Sequence, residues 1–155
     1  MDFIKQLPPS SSYMVILVII DCLSKEGIFI PTTDTTTSIS VTEAFINQVF
    51  VKHGIPLNVS SDHRSEFTSH FFQSLGTLLC MCLHFTSGHH PSANGQVEHI
   101  NSTLEQYLQI YCNYEQDNWS RLLPLAEFAY NNAPHTTTSI SLFFATHGYD
   151  SVCKL

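Results

Sequence analysis

The hydrophobic positions of this chain fall into short runs and spaced stripes that predict strands alternating with helices. The longest run, residues 13–20, is rich in Val and Ile, which is typical of a strand covered on both faces. It is too short for a membrane span, which needs about 20 apolar residues. Shorter runs predict four further strands, at residues 1–4, 26–31, 57–61 and 82–86.

Apolar residues at helical spacing predict helices between these strands. One covers residues 40–53 and ends at Gly54, a second begins at Ser65, a third covers 96–114 and a fourth 119–131. Residues 87–95, which contain two glycines, two histidines and a proline, predict a loop. This order predicts an α/β fold with a five-stranded mixed sheet flanked by helices.

The core face of each later helix follows from the same spacing. The predicted core positions of the second, third and fourth helices are Phe67, Phe71, Leu75 and Leu78; Val97, Ile100, Leu104, Tyr107 and Tyr111; and Leu122, Leu125, Ala126, Ala129 and Tyr130.

Length and charge limit the functional classes. The chain has 155 residues, enough for one domain with a real core. Its net charge is -7 with only six Lys and Arg residues. Because phosphate contacts need basic side chains, this balance argues against strong affinity for nucleic acid by the chain alone.

The five cysteines indicate a reducing compartment rather than a disulfide framework, because their number is odd and their spacing irregular. Cys80 and Cys82 lie near His84, His89 and His90. A single residue separates the two cysteines, unlike structural zinc pairs, so we expect buried thiols in a core strand.

Three carboxylates are candidates for metal chemistry. Asp2 lies in a short apolar strand, Asp62 ends a predicted strand, and Glu98 lies at the start of the long predicted helix. Oxygen ligands of this kind hold Mg²⁺, and paired metals drive in-line attack on phosphodiesters. Taken singly, Asp62 also suits a turn and Glu98 a first helical turn.

The residues around these acids resemble the integrase catalytic core of gypsy-class long-terminal-repeat retrotransposons. The resemblance extends over residues 1–150 and rests on six sequence motifs in the family's order. They are Met1-Asp2-Phe3-Ile4, Asp21-Cys22-Leu23-Ser24-Lys25, Ser61-Asp62-His63-Arg64-Ser65-Glu66-Phe67, His90-Pro91, Asn94-Gly95-Gln96-Val97-Glu98 and Glu127-Phe128-Ala129-Tyr130-Asn131. The 35 residues between Asp62 and Glu98 fit the same family.

The resemblance implies a ribonuclease-H-like fold for residues 1–150, with 151–155 as a tail. It implies that Asp2, Asp62 and Glu98 hold two Mg²⁺ or Mn²⁺ ions for 3′-end processing and strand transfer, without a covalent enzyme intermediate. It further implies DNA contacts by His90, Asn94 and His99, action in the nucleus after synthesis in the cytoplasm, and a homo-oligomer without membrane association.

The sequence also departs from the family. His63-Arg64 replaces the usual Arg-Gly, His99 replaces an arginine, and Cys22 stands where a basic residue is common. We expect the family's N-terminal zinc-binding and C-terminal DNA- or chromatin-binding domains to be absent, and Asp2 to be loosely held on its short strand. Two hypotheses therefore stay open: an Asp-Asp-Glu polynucleotidyl transferase, or an inactive integrase remnant that binds nucleic acid or protein.

Overall fold

The structure, a computed structural model, describes residues 1–62, 65–86, 91–134 and 139–151, without the side chains of residues 66, 71, 86 and 91–98. The described elements, in chain order, are β1 (Asp2–Ile4), β2 (Val15–Ile20), β3 (Gly27–Thr32), α1 (Ser38–Phe45), a π-helical segment (Ile46–Phe50), α2 (Val51–His53), β4 (Asn58–Asp62), α3 (Ser65–Thr68), α4 (His70–Leu78), β5 (Cys82–Thr86), α5 (Pro91–Tyr111), α6 (Trp119–Asn132) and α7 (Leu142–His147). No helix among the described residues is long and apolar enough to span a membrane.

All five predicted strands are present. β1, β2 and β3 pair antiparallel, with Asp2 opposite Val18 and Val18 opposite Phe29. β4 and β5 pair parallel, with Asp62 opposite Thr86. The amino nitrogen of Met1 donates to the carbonyl of Ser60 at 2.7 Å, which places the start of β1 beside β4. The five strands therefore form a three-stranded antiparallel sheet and a two-stranded parallel sheet, and the Met1–Ser60 hydrogen bond joins the two into the mixed arrangement that the α/β prediction required.

The strands separate two hydrophobic clusters, because side chains alternate between the faces of a strand. Phe3 and Leu17 lie in the first cluster, with side chains from α1, α3 and α4. Ile4 and Val18 lie in the second, with side chains from α5 and α6. β2 is buried on both faces, as its continuous apolar run predicted.

The first helical region begins two residues before the predicted start and ends at the predicted Gly54. Thr37 caps α1, because its hydroxyl accepts a hydrogen bond from the backbone N–H of Ser40 and its own backbone N–H donates one to the hydroxyl of Ser40. The region continues through the π-helical segment and α2 to Gly54, whose φ of 86° suits a residue without a side chain.

The predicted core face of the second helix was wrong in part. Ser69 interrupts it and caps α4 through a hydrogen bond from the backbone of Phe72. The interruption shifts the helical phase, so Phe67 and Phe72 are fully buried while Leu78 is 79% exposed. A continuous stripe from Phe67 to Leu78 would have needed an unbroken helix.

The boundary of the long helix was also predicted wrongly. α5 begins at Pro91, so residues 91–95 are helical rather than part of the predicted loop, and the helix ends at Tyr111 rather than at 114. Proline fits the first helical position because its missing N–H would have no partner there. Glu98 consequently lies two turns inside α5, not in its first turn. Residues 87–90 lie outside the described residues.

The predicted core faces of α5 and α6 were right in part. Among the described side chains of α5, Ile100 and Leu104 are buried as predicted, while Tyr111 is 59% exposed. On α6, Ala126 is buried as predicted, and Leu122 and Tyr130 pack against the same cluster, while Leu125 is 58% exposed. Apolar spacing could not mark Asn131, which is buried on α6 although it is polar.

The polar side chains of α6 cover the outer edge of β3. Asn131 accepts a hydrogen bond from the backbone N–H of Gly27 at 2.9 Å and donates to its carbonyl at 2.8 Å. Glu127 accepts from the backbone N–H of Phe29 at 2.7 Å. These bonds satisfy the backbone groups at the edge of β3, which would otherwise be open to pairing with another chain. They give a structural reason for the polar residues of the Glu127–Asn131 motif.

The expectation of buried thiols in the fifth strand was wrong. Cys80 and Cys82 are both exposed, because Cys82 points from β5 to the face opposite Leu83 and the core. Cys22 is exposed as well.

Candidate metal centre

Asp2 is held firmly in the sheet, contrary to the expectation of a loosely placed first strand. Asp2 lies opposite Val18 in the antiparallel pairing of β1 with β2. One carboxylate oxygen, Oδ1, accepts a hydrogen bond from the backbone N–H of Phe3 at 2.8 Å. The other, Oδ2, accepts from the side-chain amide of Asn101 at 3.1 Å. Both oxygens of this carboxylate therefore have a fixed direction.

Asp62 is the last residue of β4 and is partly buried, as its place at a strand end predicted. Because β4 and β5 are parallel, their carboxyl ends lie at the same edge, where open α/β sheets place their sites. Met1 contacts Ser60, two residues before Asp62, so the start of β1 lies close to this edge.

Strand alternation places the two aspartates on one face. Phe3 and Val59 both point into the first cluster. Asp2 is one residue from Phe3 and Asp62 is three residues from Val59, so both project from the opposite face. Ile4 also contributes to the cluster that α5 and α6 cover. The two carboxylates therefore share the face on which α5 lies.

Helix α5 brings the third predicted acid to this face. Asn101 of α5 contacts Asp2 directly. Position 98 lies three residues earlier, which is just under one turn, or about 4.5 Å along the axis, on the same side of the helix. The side chain of Glu98 lies outside the described part of the chain. The backbone thus supports a site composed of Asp2, Asp62 and position 98.

Electrostatics also join the two aspartates. Burial lowers the pKa of the Met1 amino group, and electrostatic interaction with Asp2, Cys22 and Asp62 opposes that shift. Both aspartates therefore act on one amino group, which lies between the start of β1 and the end of β4.

The site is open to solvent beyond Asp62. Asn58 and Ser60 of β4 are exposed on the same face as Asp62, and so are Cys82 and His84 of β5. His84 and Asn58 share a hydrogen bond of 3.2 Å. No helix covers this part of the described sheet, so a large ligand could reach Asp62 from this side.

Of the predicted DNA-binding residues, only His99 has a described side chain, and it is exposed on α5. His90 lies outside the described residues, and the side chain of Asn94 does too, although its backbone is helical. Asn101 was not predicted. Its position three residues after Glu98, beside the buried Ile100, is the signal that could have found it.

The donor set fits a hard divalent cation. Carboxylate and amide oxygens suit Mg²⁺ or Mn²⁺, and Oδ1 of Asn101 is a buried acceptor without a hydrogen bond among the described residues. Among the described side chains, which do not include that of Glu98, no group of three or more His, Cys, Asp or Glu residues could hold a metal ion.

Comparisons with known proteins show which proteins this chain resembles in sequence and in structure. No family model matches it. It is 31% identical over 149 residues, 96% of its length, to the Transposon Tf2-3 polyprotein of Schizosaccharomyces pombe (strain 972 / ATCC 24843), and equally to the Tf2-4 polyprotein. The chain spans 11% of the length of these relatives.

Solved structures agree on the fold. The trimeric form of the HTLV-2 integrase catalytic core domain in complex with magnesium matches with a TM-score of 0.70 and 19% identity, covering 94% of both chains. The catalytic core domain of BIV integrase matches with a TM-score of 0.71 and 18% identity, covering 94% of this chain and 92% of that one. A simian T-cell lymphotropic virus intasome in complex with PP2A regulatory subunit B56 gamma matches with a TM-score of 0.76 and 18% identity, covering 94% of this chain and 53% of that one.

The sequence resemblance is therefore confirmed at the level of homology and fold: the chain is homologous to a segment of the Tf2 retrotransposon polyproteins, and it has the ribonuclease-H-like fold of the integrase catalytic cores.

Proposed function

We propose that the chain catalyses metal-dependent 3′-end processing of retrotransposon DNA and its transfer into target DNA. The observation that carries this proposal is the placement of Asp2 and Asp62 on one sheet face, with α5 joined to Asp2 through Asn101 one turn from Glu98. In this proposal, three acids from two strands and a helix would surround one solvent-open region.

Asp2, Asp62 and Glu98 are the residues that would hold two Mg²⁺ or Mn²⁺ ions. Such ions supply Lewis acidity and neutralise charge on the reacting phosphodiester. The protein's own contribution is positioning. The backbone of Phe3 and the amide of Asn101 fix the Asp2 carboxylate, and the end of β4 fixes Asp62 beside it. The HTLV-2 core domain, which has the same fold, was solved with magnesium.

The substrate of this proposal is DNA, and its place of action is the nucleus. The open face beside Asp62 leaves room for a duplex, and His99 lies exposed one residue after Glu98. A net charge of -7 leaves little attraction for phosphates, so we infer that binding requires further subunits or segments. A homo-oligomer would provide them. The HTLV-2 core domain has been solved in dimeric and trimeric forms.

The second candidate function is that of an inactive remnant, which keeps the fold as a binding module. The scarcity of basic residues, six in the whole chain, favours it. It predicts stable folding without turnover, so an activity assay separates the two candidates.

The test is a disintegration assay, in which the chain resolves a branched DNA substrate in Mn²⁺. Three proteins are compared: wild type, Asp62→Asn, and Asp34→Asn, whose lost charge is exposed in the loop after β3. We expect Asp34→Asn to match wild type and Asp62→Asn to lose more than about 100-fold, since changes behind the ligands alone cost about 10–100-fold. Equal product from wild type and Asp62→Asn contradicts the proposal, and no product from wild type supports the remnant.

A further inference from the structure

A cleft of about 520 Å³ opens beside the outer edge of β3, between the start of that strand and helices α2, α6 and α7. Its size falls within the range of about 300–1,000 Å³ that is usual for ligand sites. The carboxylates of Glu26 and Glu127 line it, together with the rings of Phe128, Phe143 and His147. Because β2 lies between β3 and β1, the cleft is separate from the proposed metal centre.

Glu26 is a buried acid whose carboxylate accepts no hydrogen bond from the described residues. The residue is 8% exposed and its side chain 10% exposed. Nδ1 of His147 lies 4.0 Å from Oε1 of Glu26, which is beyond hydrogen-bond distance, and the imidazole carries a charge only when it is protonated. Buried carboxylates are almost always paired. This carboxylate therefore favours a cation that comes from outside the chain.

Glu127 brings a second carboxylate to the same cleft. Its Oε2 accepts a hydrogen bond from the backbone N–H of Phe29 at 2.7 Å. Burial raises the pKa of this carboxyl, and the nearby charge of Glu26 raises it further. Lys52 also lines the cleft, but its ammonium donates to the side-chain oxygen of Gln48 at 2.6 Å. Two carboxylates thus face one ammonium group, and the cleft attracts a further positive charge.

The lining favours a flat organic cation. No three His, Cys, Asp or Glu side chains within the described part of the chain are arranged to hold a metal ion. Aromatic rings form the walls of the cleft: Phe143 and His147 stack with their centroids 4.2 Å apart, and Phe128 is 41% exposed. A guanidinium group stacks on aromatic faces and donates to carboxylates through a planar fork, whereas an ammonium is a strongly hydrated point charge. Arginine is therefore the side chain that fits this lining.

We propose that the cleft is a docking site for an arginine side chain on a basic segment of a partner protein. Glu26 and Glu127 accept hydrogen bonds from the guanidinium group, and Phe128 stacks on its plane. The charge of the chain is complementary to such a partner, because 13 acidic residues outnumber 6 basic ones. A net charge of -7 attracts a basic segment and repels a second copy of the chain. The inference does not depend on the proposed function, since it requires neither metal nor DNA.

The test measures the binding of labelled peptides to the full 155-residue chain by fluorescence anisotropy. The probe repeats the tripeptide Arg-Gly-Ser three times. Two matched peptides carry lysine, or citrulline as the neutral counterpart of arginine, in place of each arginine. We expect the arginine peptide to bind at least about 10-fold more tightly than the citrulline peptide, because hydrogen bonds between charged groups are lost with citrulline. It should also bind more tightly than the lysine peptide.

Variants of the chain locate the binding site. Glu26→Gln and Glu127→Gln each remove one charge and keep the shape of the side chain, so we expect each to bind the arginine peptide about 10–100-fold more weakly. Phe128→Leu should weaken binding about 2–5-fold through lost stacking. Glu105→Gln is the matched control, because it removes the same charge from an exposed position on α5 and should bind as wild type. Circular dichroism verifies that each variant is folded.

Any of four results overturns the inference. Equal affinity for the arginine and citrulline peptides would show that the cleft recognises no cation, and equal affinity for the lysine peptide would refute the choice of arginine. Equal losses in Glu105→Gln and Glu26→Gln would show that the overall charge of the chain attracts the peptide. Release of the peptide as the chain self-associates, followed by sedimentation velocity, would assign the cleft to a second copy.

Discussion

Replacing Asn131 should destabilise the fold strongly, because this side chain closes the edge of β3. Asn131 is 6% exposed and makes two hydrogen bonds to the backbone of Gly27, at 2.9 Å and 2.8 Å. Asn131→Ala leaves one buried N–H and one buried carbonyl unsatisfied, each worth about 1–3 kcal/mol. We expect a loss of about 2–5 kcal/mol in the free energy of unfolding.

Asn132→Ala is the matched control. The amide of Asn132 donates to the carbonyl of Phe128 at an exposed position, so its loss should change stability by less than about 0.5 kcal/mol. Urea unfolding followed by tryptophan fluorescence measures both variants, since the single tryptophan, Trp119, is 1% exposed in the same helix. A loss below about 0.5 kcal/mol in Asn131→Ala, or an equal loss in both variants, would refute the edge-closing argument.

Asn131→Asp refines the test. The carboxylate can still accept from the N–H of Gly27, but it cannot donate to the carbonyl of Gly27. At neutral pH we expect a loss at least as large as in Asn131→Ala, and at acid pH a partial recovery, because a protonated carboxyl can donate. A pH-independent loss would mean that the carbonyl contact does not matter.

Three further predictions concern burial elsewhere in the fold. Burial raises the pKa of Glu127. Its contribution to stability is therefore complete below the ordinary glutamate pKa and is lost as pH rises through the raised value. In urea titrations, wild type should lose stability relative to Glu127→Gln as pH rises above the ordinary glutamate pKa of about 4.3, and a constant difference would contradict this. Gly76→Ala should lower the free energy of unfolding by about 1–3 kcal/mol, although alanine has the better helix propensity, because the added Cβ would lie 2.7 Å from Cδ1 of Leu83. Thermal unfolding measures the change, and a stabilised variant would refute the prediction. A thiol reagent should label the exposed Cys22, Cys80 and Cys82 before Cys112, because burial raises the pKa of the Cys112 thiol. Mass spectrometry of the labelled native protein gives the order, and early labelling of Cys112 would contradict the prediction.

Strand positions were predictable because continuous apolar runs leave few alternatives. The run containing Val15–Ile20 could only be a strand covered on both sides. Helix phase was less predictable, since it depends on single interruptions. Ser69 was read as part of one helix, although its hydroxyl caps a new one. Pro91 was read as a loop marker, although proline also begins helices.

The sequence indicates the candidate acids of the site but not how the fold arranges them. The motifs around Asp2 and Asp62 indicated these two residues, and the structure places both on the strand face opposite the first hydrophobic cluster. The contact between α5 and Asp2 was not predictable, because it joins residues 99 positions apart. The place of Asn101 three residues after Glu98 indicates its side of the helix but not its partner. Long-range polar contacts of this kind require the fold.

The central claim is that Asp2, Asp62 and Glu98 form one divalent metal centre. The direct measurement is a crystal structure of the chain soaked in Mn²⁺, with anomalous diffraction to locate manganese. The account predicts a manganese peak bonded to the carboxylates of Asp2 and Asp62, with Glu98 turned toward it, and no such peak in Asp62→Asn. Manganese bound elsewhere only, or a peak that persists in Asp62→Asn, would contradict it.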